Sequence, residues 1–382
     1  MEPAAMLAAG GTAGHLFPAF ALAQELARRG IAVDLMTDLR GDRYGASFPA
    51  RDTYQVPAAT FTGRSPVAVA RTLMTLGRGL ARAHAILGRT RPAAIIGFGG
   101  YPTLPPLIAS RLRRIPTALH EQNAVLGRAN RLLSRRVSAI ATSFPTTHLL
   151  DASLARKVTC TGNPVRDAVL SLAASPYRPS PPDEPFRLLV FGGSQGARFF
   201  SQAVPPALAI LPAALKSRLR VMQQCRAEDL DRVRRTYADT GVAAELAAFF
   251  DNLPERMASA QLVIARAGAS SVAELSVIGR PSILVPLPHA LDNDQLQNAT
   301  RLAQAGAAWC IEQKDLDPAR LAGVLAQLLN TPDRLIEAAA AAKAQGRPDA
   351  AARLADLVEA LMQRRSWPAQ ARAPAAADVV RR

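Results

Sequence analysis

Residues 4–15 read AAMLAAGGTAGH and residues 187–198 read RLLVFGGSQGAR. Each is a short apolar run, then a glycine-rich turn, then the start of a longer amphipathic stretch. A strand that opens through glycines onto a helix is the first step of a βα unit. Glycine lets the backbone turn tightly and approach a ligand, and the helix start presents unpaired N–H groups at the positive end of its dipole. Neither turn is GxGxxG and neither is followed by GK[ST], so neither reads as a dinucleotide fingerprint or a Walker A loop. One such turn is weak evidence, because a tight βα corner needs glycine with or without a ligand. Two, at matching places in the two halves of one chain, predict a duplicated α/β architecture with both sites at the carboxyl ends of the strands, on one cleft.

Working outward, the alternation continues on both sides. In the first half the candidate strands are Ala4–Ala9, Ile31–Thr37, Ala93–Phe98, Thr117–His120 and Val137–Thr142, with helical patterns at about Phe17–Arg29, Val67–Leu87 and Val125–Ser134. In the second half the strands are Arg187–Phe191, Arg220–Gln224, Ala243–Phe249, Leu262–Ala265 and Ser282–Val285, and the chain from Pro318 to Met362 is nearly all helical in pattern. This βα order predicts parallel sheets with helices on both faces. Residues 175–185, SPYRPSPPDEP, hold five prolines in eleven residues and predict a surface connector; the hinge falls slightly earlier, near Gly162-Asn163-Pro164. A chain of 382 residues exceeds what one core usually serves. The expected division is 1–164 and 165–345 as two Rossmann-like domains, 346–365 as a helix packing back toward the first, and 366–382, rich in Ala, Pro and Arg, as a disordered tail.

The formal net charge is +16. Residues 1–162 carry 20 Lys and Arg against 8 Asp and Glu, a balance of +12, while residues 163–382 carry 26 against 22, a balance of +4. A bias toward Arg in the coding sequence explains which basic residue is used but not why acids are missing from one half. The asymmetry points to an anionic partner. With aromatics at only 5%, the basic residues are not interleaved with stacking side chains, which argues against nucleic acid. Three widely spaced cysteines, Cys160, Cys225 and Cys310, give no disulfide framework, and the five histidines form no HxxxH or HExxH pattern, so no metal site is expected. The start, MEPAAMLAAGG, lacks the basic residues and apolar length of a signal peptide. The longest uncharged stretch, Pro92 to Ser110, is broken by prolines and glycines and does not read as a spanning helix, so membrane contact is expected to be peripheral. Pro66–Arg91 sets Val67, Val69, Leu73, Met74, Leu76, Leu80, Ile86 and Leu87 among Arg71, Arg78, Arg82, Arg89 and Arg91 with no acid at all. That is the pattern of a helix lying in a membrane interface, or equally of one whose apolar stripe packs on the sheet.

Four further runs close candidate strands. Gly97-Phe98-Gly99-Gly100-Tyr101-Pro102 and His120-Glu121-Gln122-Asn123 follow strands of the first half. Arg266-Ala267-Gly268-Ala269-Ser270-Ser271-Val272-Ala273-Glu274 follows a strand of the second; its small residues free N–H donors for a diphosphate, and Glu274 is placed to accept ribose hydroxyls, unless Ser271 and Glu274 form a capping box. Pro286 to Ala299 offers Asp292, Asp294, Gln295 and Asn298 to sugar hydroxyls, unless they only cap a surface helix.

In order, GGTAGH, GFGGYP, HEQNAVLGRANRL, TGNPVR, GGSQGAR, RAGASSVAE and DxxQxxNA run from residue 10 to 299. The set resembles glycosyltransferase family 28, the bacterial N-acetylglucosaminyltransferases that act on the undecaprenyl-pyrophosphoryl muramyl pentapeptide. The resemblance implies a GT-B fold, two facing Rossmann-like domains with a cleft between them. It implies inverting, metal-independent transfer from UDP-N-acetylglucosamine (UDP-GlcNAc) to the C4 hydroxyl of the muramyl sugar in peptidoglycan synthesis, without a cofactor. The donor set would be Thr12, Ala13, Gly14, Asn123, Arg166, Ser194, Phe250 near the uracil, Ala269, Ser270, Ser271, Val272, Ala273, Glu274 on the ribose, and Gln295 on the sugar with Asp294 beside it. Thr12, Ala13, Gly14 and His15 would also face the acceptor diphosphate and the reacting hydroxyl, with Gly99, Gly100, Tyr101 and Asn130 on the acceptor side. Ala13 stands where glycine is common, and Asp294 where a larger His or Gln is common. His15 is the first candidate base, with a reference pKa near ~6.5; His120 and Glu121 are alternatives. The implied partners are UDP-GlcNAc, the polyprenyl-pyrophosphate-linked acceptor, an anionic membrane surface on the cytoplasmic side of the plasma membrane, and other cell-wall proteins, with no nucleic acid. The rival readings are another GT-B UDP-sugar transferase, a UDP-GlcNAc 2-epimerase, or a basic binding protein without activity.

Overall fold

The computed structural model describes residues 4–38, 48–59 and 65–363. The chain divides into two units, Met1–Arg166 with Asp349–Arg382, and Asp167–Pro348. In unit 1, strands β1 (Ala4–Ala8), β2 (Ala32–Thr37), β3 (Asp52–Gln55), β4 (Ala94–Gly97), β5 (Thr117–Glu121), β6 (Ala139–Thr142) and β7 (Val158–Cys160) form one sheet in the order β3-β2-β1-β4-β5-β6-β7. Every pairing is parallel. Its helices are α1 (Ala13–Arg28), α2 (Pro66–Thr90), α3 (Leu104–Leu112) and α4 (Arg128–Ser134).

The central strands are buried along their whole length, which is why they read as unbroken apolar runs. Side chains alternate between the sheet faces. Ala5 and Leu7 pack on Leu16, Ala19, Leu22 and Leu26 of α1, while Met6 and Ala8 pack with Ala83, Ile86 and Leu87 of α2 and Leu107 of α3.

Unit 2 holds β8 (Phe186–Phe191), β9 (Leu219–Gln224), β10 (Ala243–Ala247), β11 (Leu262–Ala265), β12 (Ser282–Leu284) and β13 (Ala308–Cys310), all parallel, in the order β10-β9-β8-β11-β12-β13. Its helices are α5 (Asp167–Leu170), α6 (Gly193–Ile210), α7 (Ala213–Arg218), α8 (Leu230–Thr240), α9 (Leu253–Ser259), α10 (Ala269–Ile278), α11 (Asp294–Gln304), α12 (Pro318–Leu329) and α13 (Pro332–Gln345). The proline-rich stretch 175–185 carries no helix or strand and is fastened to unit 2, where the Tyr177 hydroxyl donates to the Gln261 carbonyl at 3.0 Å.

The last described helix, α14 (Ala350–Met362), belongs to unit 1. Its Leu354, Leu357 and Val358 are fully buried with α1, each burial stabilising by roughly 1.5–3 kcal/mol. Arg29, just after α1, donates to Asp356 and Glu359 at 2.7 Å each.

Three strands differ from the expectation by being there at all: β3, β7 and β13 lie at or near sheet edges and are short or polar. Helix α1 starts at Ala13 rather than Phe17, and α4 at Arg128 rather than Val125, which instead bridges to His148. The expected tail 366–382 lies outside the described residues.

Candidate active site

In unit 1 the strand order reverses between β1 and β4, and the turns after these two strands meet at their carboxyl ends, where open α/β sheets bind ligands. The turn after β1 is held from behind. Asp38, 4% exposed at the end of β2, accepts the Gly11 N–H at 3.1 Å. A Cβ on Gly10 would stand 2.8 Å from the same carboxylate oxygen, so a larger residue there must displace the Asp38 side chain that holds Gly11. Helix α1 then begins at once: Thr12 is its exposed N-cap, Ala13 its first residue, in a helical conformation that an alanine adopts without strain, and His15 lies in its first turn.

The His15 ring lies against the turn after β4. Gly99 and Gly100 have φ of +86° and +72°, and a Cβ on either would come within 3.4 Å of the imidazole. These glycines are therefore needed twice, for backbone conformation and for room. His15 Nδ1 lies 3.2 Å from Gln122 Oε1. Gln122 Nε2 is 3.0 Å from both the His120 carbonyl oxygen and His120 Nδ1, and His120 Nε2 is 3.0 Å from the Gly162 carbonyl oxygen. Burial lowers the pKa of both imidazoles, that of His120 to about 4.

The other base candidates are committed to the chain. His120 is fully buried with both ring nitrogens bonded. Glu121, 2% exposed, accepts the N–H of Gly127 at 2.8 Å, the N–H of Asn123 at 3.0 Å and Asn130 Nδ2 at 2.8 Å. Burial raises the Glu121 pKa against the pull of these donors. Asn130 is thus tied to Glu121 while its amide also neighbours Gly99. Tyr101 is half-buried after Gly100, and the Arg166 guanidinium sits 4.5 Å over the ring of Phe17 in α1.

In unit 2 the order reverses between β8 and β11. Helix α6 starts at Gly193, directly after β8; the side chain of Ser194 lies outside what is described. After β11, Gly268 is the N-cap of α10 with no side-chain cap bond, and a Cβ added there would meet no described atom within 4 Å. Since the helix starts at Ala269, Ser271 is not an N-cap, and the capping-box reading of Ser271 and Glu274 is set aside. Ser270 Oγ is buried with no hydrogen-bond partner among the described residues. Val272 and Glu274 are buried, whereas Ala269, Ser271 and Ala273 are half-buried. Beside α10, Gln295 Oε1 accepts the Leu287 N–H at 3.0 Å, and Asp294, its pKa raised by burial, accepts the Gln295 N–H at 2.7 Å. Phe250 is buried, with the Arg256 guanidinium 4.1 Å over its ring, while Phe249 beside it is 72% exposed.

Residues 5–142 match the glycosyltransferase family 28 N-terminal domain, and residues 187–354 match the glycosyltransferase family 28 C-terminal domain. The chain belongs to glycosyltransferase family 28. Family 28 relatives include the UDP-N-acetylglucosamine--N-acetylmuramyl-(pentapeptide) pyrophosphoryl-undecaprenol N-acetylglucosamine transferases of Methylobacterium nodulans and Rhizobium etli. The first is 56% identical over 360 residues, 94% of this chain and 96% of that protein. The second is 52% identical over 358 residues, 93% and 95%. Among solved structures, Acinetobacter baumannii MurG superimposes with a TM-score of 0.75 at 29% identity, over 94% of this chain and 99% of that one. The two parallel α/β sheets are accordingly those of a GT-B glycosyltransferase.

Family 28 membership decides against the epimerase and the inactive binder. Within this framework the structure adds residues with no individual role in the motif reading. Asp38 sits at the end of β2, a place where α/β sheets often keep an acid, and that position was the available signal. Gln122 stands inside the HEQN run, but its two histidine partners cannot be read from spacing. Arg266, 7% exposed, donates to the carbonyl oxygens of Val285 and Pro286 and to Gln313 Oε1, and burial lowers its pKa to about 10. Among the described residues no group of three or more His, Cys, Asp or Glu is placed to hold a metal ion.

Proposed function

We propose that unit 2 binds the donor, that unit 1 binds the lipid-linked acceptor, and that His15 is the base. The reaction itself is the transfer of GlcNAc from UDP-GlcNAc to lipid I to make lipid II in peptidoglycan synthesis, carried by the identity above 50% to enzymes of that name over both domains. In this reading the C4 hydroxyl of the muramyl sugar attacks C1 of the donor from the face opposite UDP, turning an α linkage into a β linkage. The hydroxyl must lose a proton and the diphosphate must be stabilised as it leaves. His15 suits the first task, since its lowered pKa keeps it neutral at pH 7. The first turn of α10 suits the second, with backbone N–H groups not claimed by a side-chain cap and an unpartnered Ser270 hydroxyl. Glu274 serves the ribose and Gln295 the sugar; Thr12, Ala13, Gly14, Asn123 and Arg166 complete the set. Radiolabelled UDP-GlcNAc and a soluble lipid I analogue test the reaction: labelled disaccharide product is expected, and its absence with folded protein defeats the reading.

The acceptor lipid lies in a bilayer, and no described helix is long and apolar enough to cross one. Peripheral docking through unit 1 on the cytoplasmic face of the inner membrane is supported by α2. Its C-terminal half is buried through Ala83, Ile86 and Leu87, whereas Val67, Leu73 and Met74 in its N-terminal half are 56–70% exposed among Arg71, Arg78 and Arg82. Apolar side chains flanked by arginines favour an anionic interface. Wild-type protein should pellet with anionic vesicles, less so in high salt, and replacing Leu73 with Met74 or Arg78 with Arg82 should reduce pelleting while activity on a short-chain acceptor survives. Equal pelleting would move the docking face elsewhere.

A further inference from the structure

We infer that Gln122, anchored by His120, is a positioning residue that holds His15 in the tautomer with the proton on Nδ1 and the lone pair on Nε2. The argument is one of donors and acceptors. Gln122 Nε2 lies 3.0 Å from the His120 carbonyl oxygen, which only accepts, so this end of the amide is the NH2. The same NH2 faces His120 Nδ1 at 3.0 Å, which must then be the unprotonated nitrogen of that ring. His120 Nε2 carries the proton and donates it to the Gly162 carbonyl oxygen, also at 3.0 Å. With its nitrogen so fixed, Gln122 presents its oxygen to His15 Nδ1 at 3.2 Å, and that nitrogen must donate. The whole chain is buried or half-buried, so a reversed amide would leave two acceptors facing each other out of water, which is costly. Gly162 has φ of +87°, in the left-handed region that favours glycine.

The device does for His15 what a carboxylate does for the imidazole of a hydrolase triad, with one difference. A neutral amide sets the tautomer and raises the basicity of the ring less than a carboxylate would, too little to offset burial. Burial lowers the His15 pKa against the opposing pull of the Gln122 amide oxygen and the Phe98 carbonyl, so the ring stays neutral near pH 7 with its lone pair on Nε2. His120, read from sequence as a second candidate base, becomes the anchor of the amide.

The inference rests on His15 as the base, and the test separates the two. In the full-length protein labelled with 15N-histidine, His15 is assigned by the signal lost in His15→Gln. The expected wild-type spectrum shows the Nδ1–H tautomer at His15, and Gln122→Leu should convert it to the Nε2–H form or to a mixture. That variant should lose kcat roughly tenfold to a hundredfold, less than removal of the base costs, with UDP-GlcNAc affinity unchanged by calorimetry. An Nε2–H signal in wild type, an unchanged tautomer in Gln122→Leu, or a changed tautomer with unchanged kcat would each overturn the inference. Gln122→Glu is the second variant. A carboxylate there stabilises protonated His15, so the acid limb of the pH–activity profile should move up by about one unit. The titratable and charged groups on the surrounding elements are His120 and Glu121 of β5, Tyr101 after β4, Asp38 after β2 and Arg166 over Phe17 of α1. All are common to both proteins, so the shift isolates the added charge, and an unmoved limb counts against the inference. Wild-type turnover in His15→Ala would instead defeat the reading of His15 as the base, whatever the spectra show.

Discussion

The two sheets share one strand order over six strands, with β7 added in unit 1, but finish their switch points differently. In unit 1 the glycine-rich turn is crowded. A carboxylate takes the N–H of Gly11, an imidazole presses on Gly99 and Gly100, and a relay of amide and imidazole runs behind it. In unit 2 the helix start at Gly268 is open, with no described atom near a Cβ added there and a buried serine hydroxyl still without a partner. The first arrangement suits the proposed proton transfer; the second suits the proposed binding of an anion. In the function proposed above, the same kind of βα corner would serve acid–base work or phosphate binding according to what stands behind its glycines.

If that contrast is right, the largest effect belongs to His15. His15→Ala should lower turnover about 10²–10⁴-fold and leave donor affinity nearly unchanged; comparable losses in both would erase the division. Next comes acidity. His120 is buried and neutral, and its pKa is lowered to about 4. The unfolded chain therefore binds a proton below pH ~6.5 that the folded chain refuses. Stability should be full above that pH and fall as pH drops from ~6.5 toward 4, by roughly 2–3 kcal/mol from this group. Denaturant midpoints of wild type and His120→Gln, compared across that window, read the effect; parallel curves would show that His120 contributes none of it. Glu274→Ala should weaken UDP-GlcNAc binding by about 1–3 kcal/mol, and calorimetry that finds no change would remove Glu274 from the donor site. The smallest effect is also the sharpest comparison. Gly99→Ala forces φ of +86° on an alanine beside the imidazole and should cost about 1–2 kcal/mol of stability. Gly268→Ala, with φ of −64° and open space, should cost almost none while weakening the donor. Equal melting temperatures for the two would contradict the crowded-versus-open picture.

Much of this was legible before any coordinates. Apolar runs such as Leu188 to Phe191 announce buried parallel strands because both faces are covered. The edge strand β3, Asp-Thr-Tyr-Gln, was not legible, because a half-exposed strand needs no apolar pattern. The start of α1 was hidden for a related reason. Thr12, Ala13, Gly14 and His15 make no apolar stripe, and the helix beginning there rests on the turn before it rather than on a packed face. Two-thirds of the base relay could be named from HEQN, but the contact between His15 and Gln122 spans 107 residues and follows only from the juxtaposition of β1, β4 and β5. At Phe249-Phe250 the sequence offers two adjacent aromatics, and spacing does not show that Phe250 is covered by Arg256 while Phe249 is exposed.

Helix α14 bears on how the protein is made. The face of α1 that it covers is synthesised within the first thirty residues, yet Leu354, Leu357 and Val358 emerge more than three hundred residues later. On the ribosome unit 2 has its whole sequence available before unit 1 does, and the N-terminal sheet must wait with an apolar face uncovered. A fragment cut at Arg166 would keep that face open permanently, so expressing residues 1–166 alone should give an aggregating product that a supplied α14 peptide rescues.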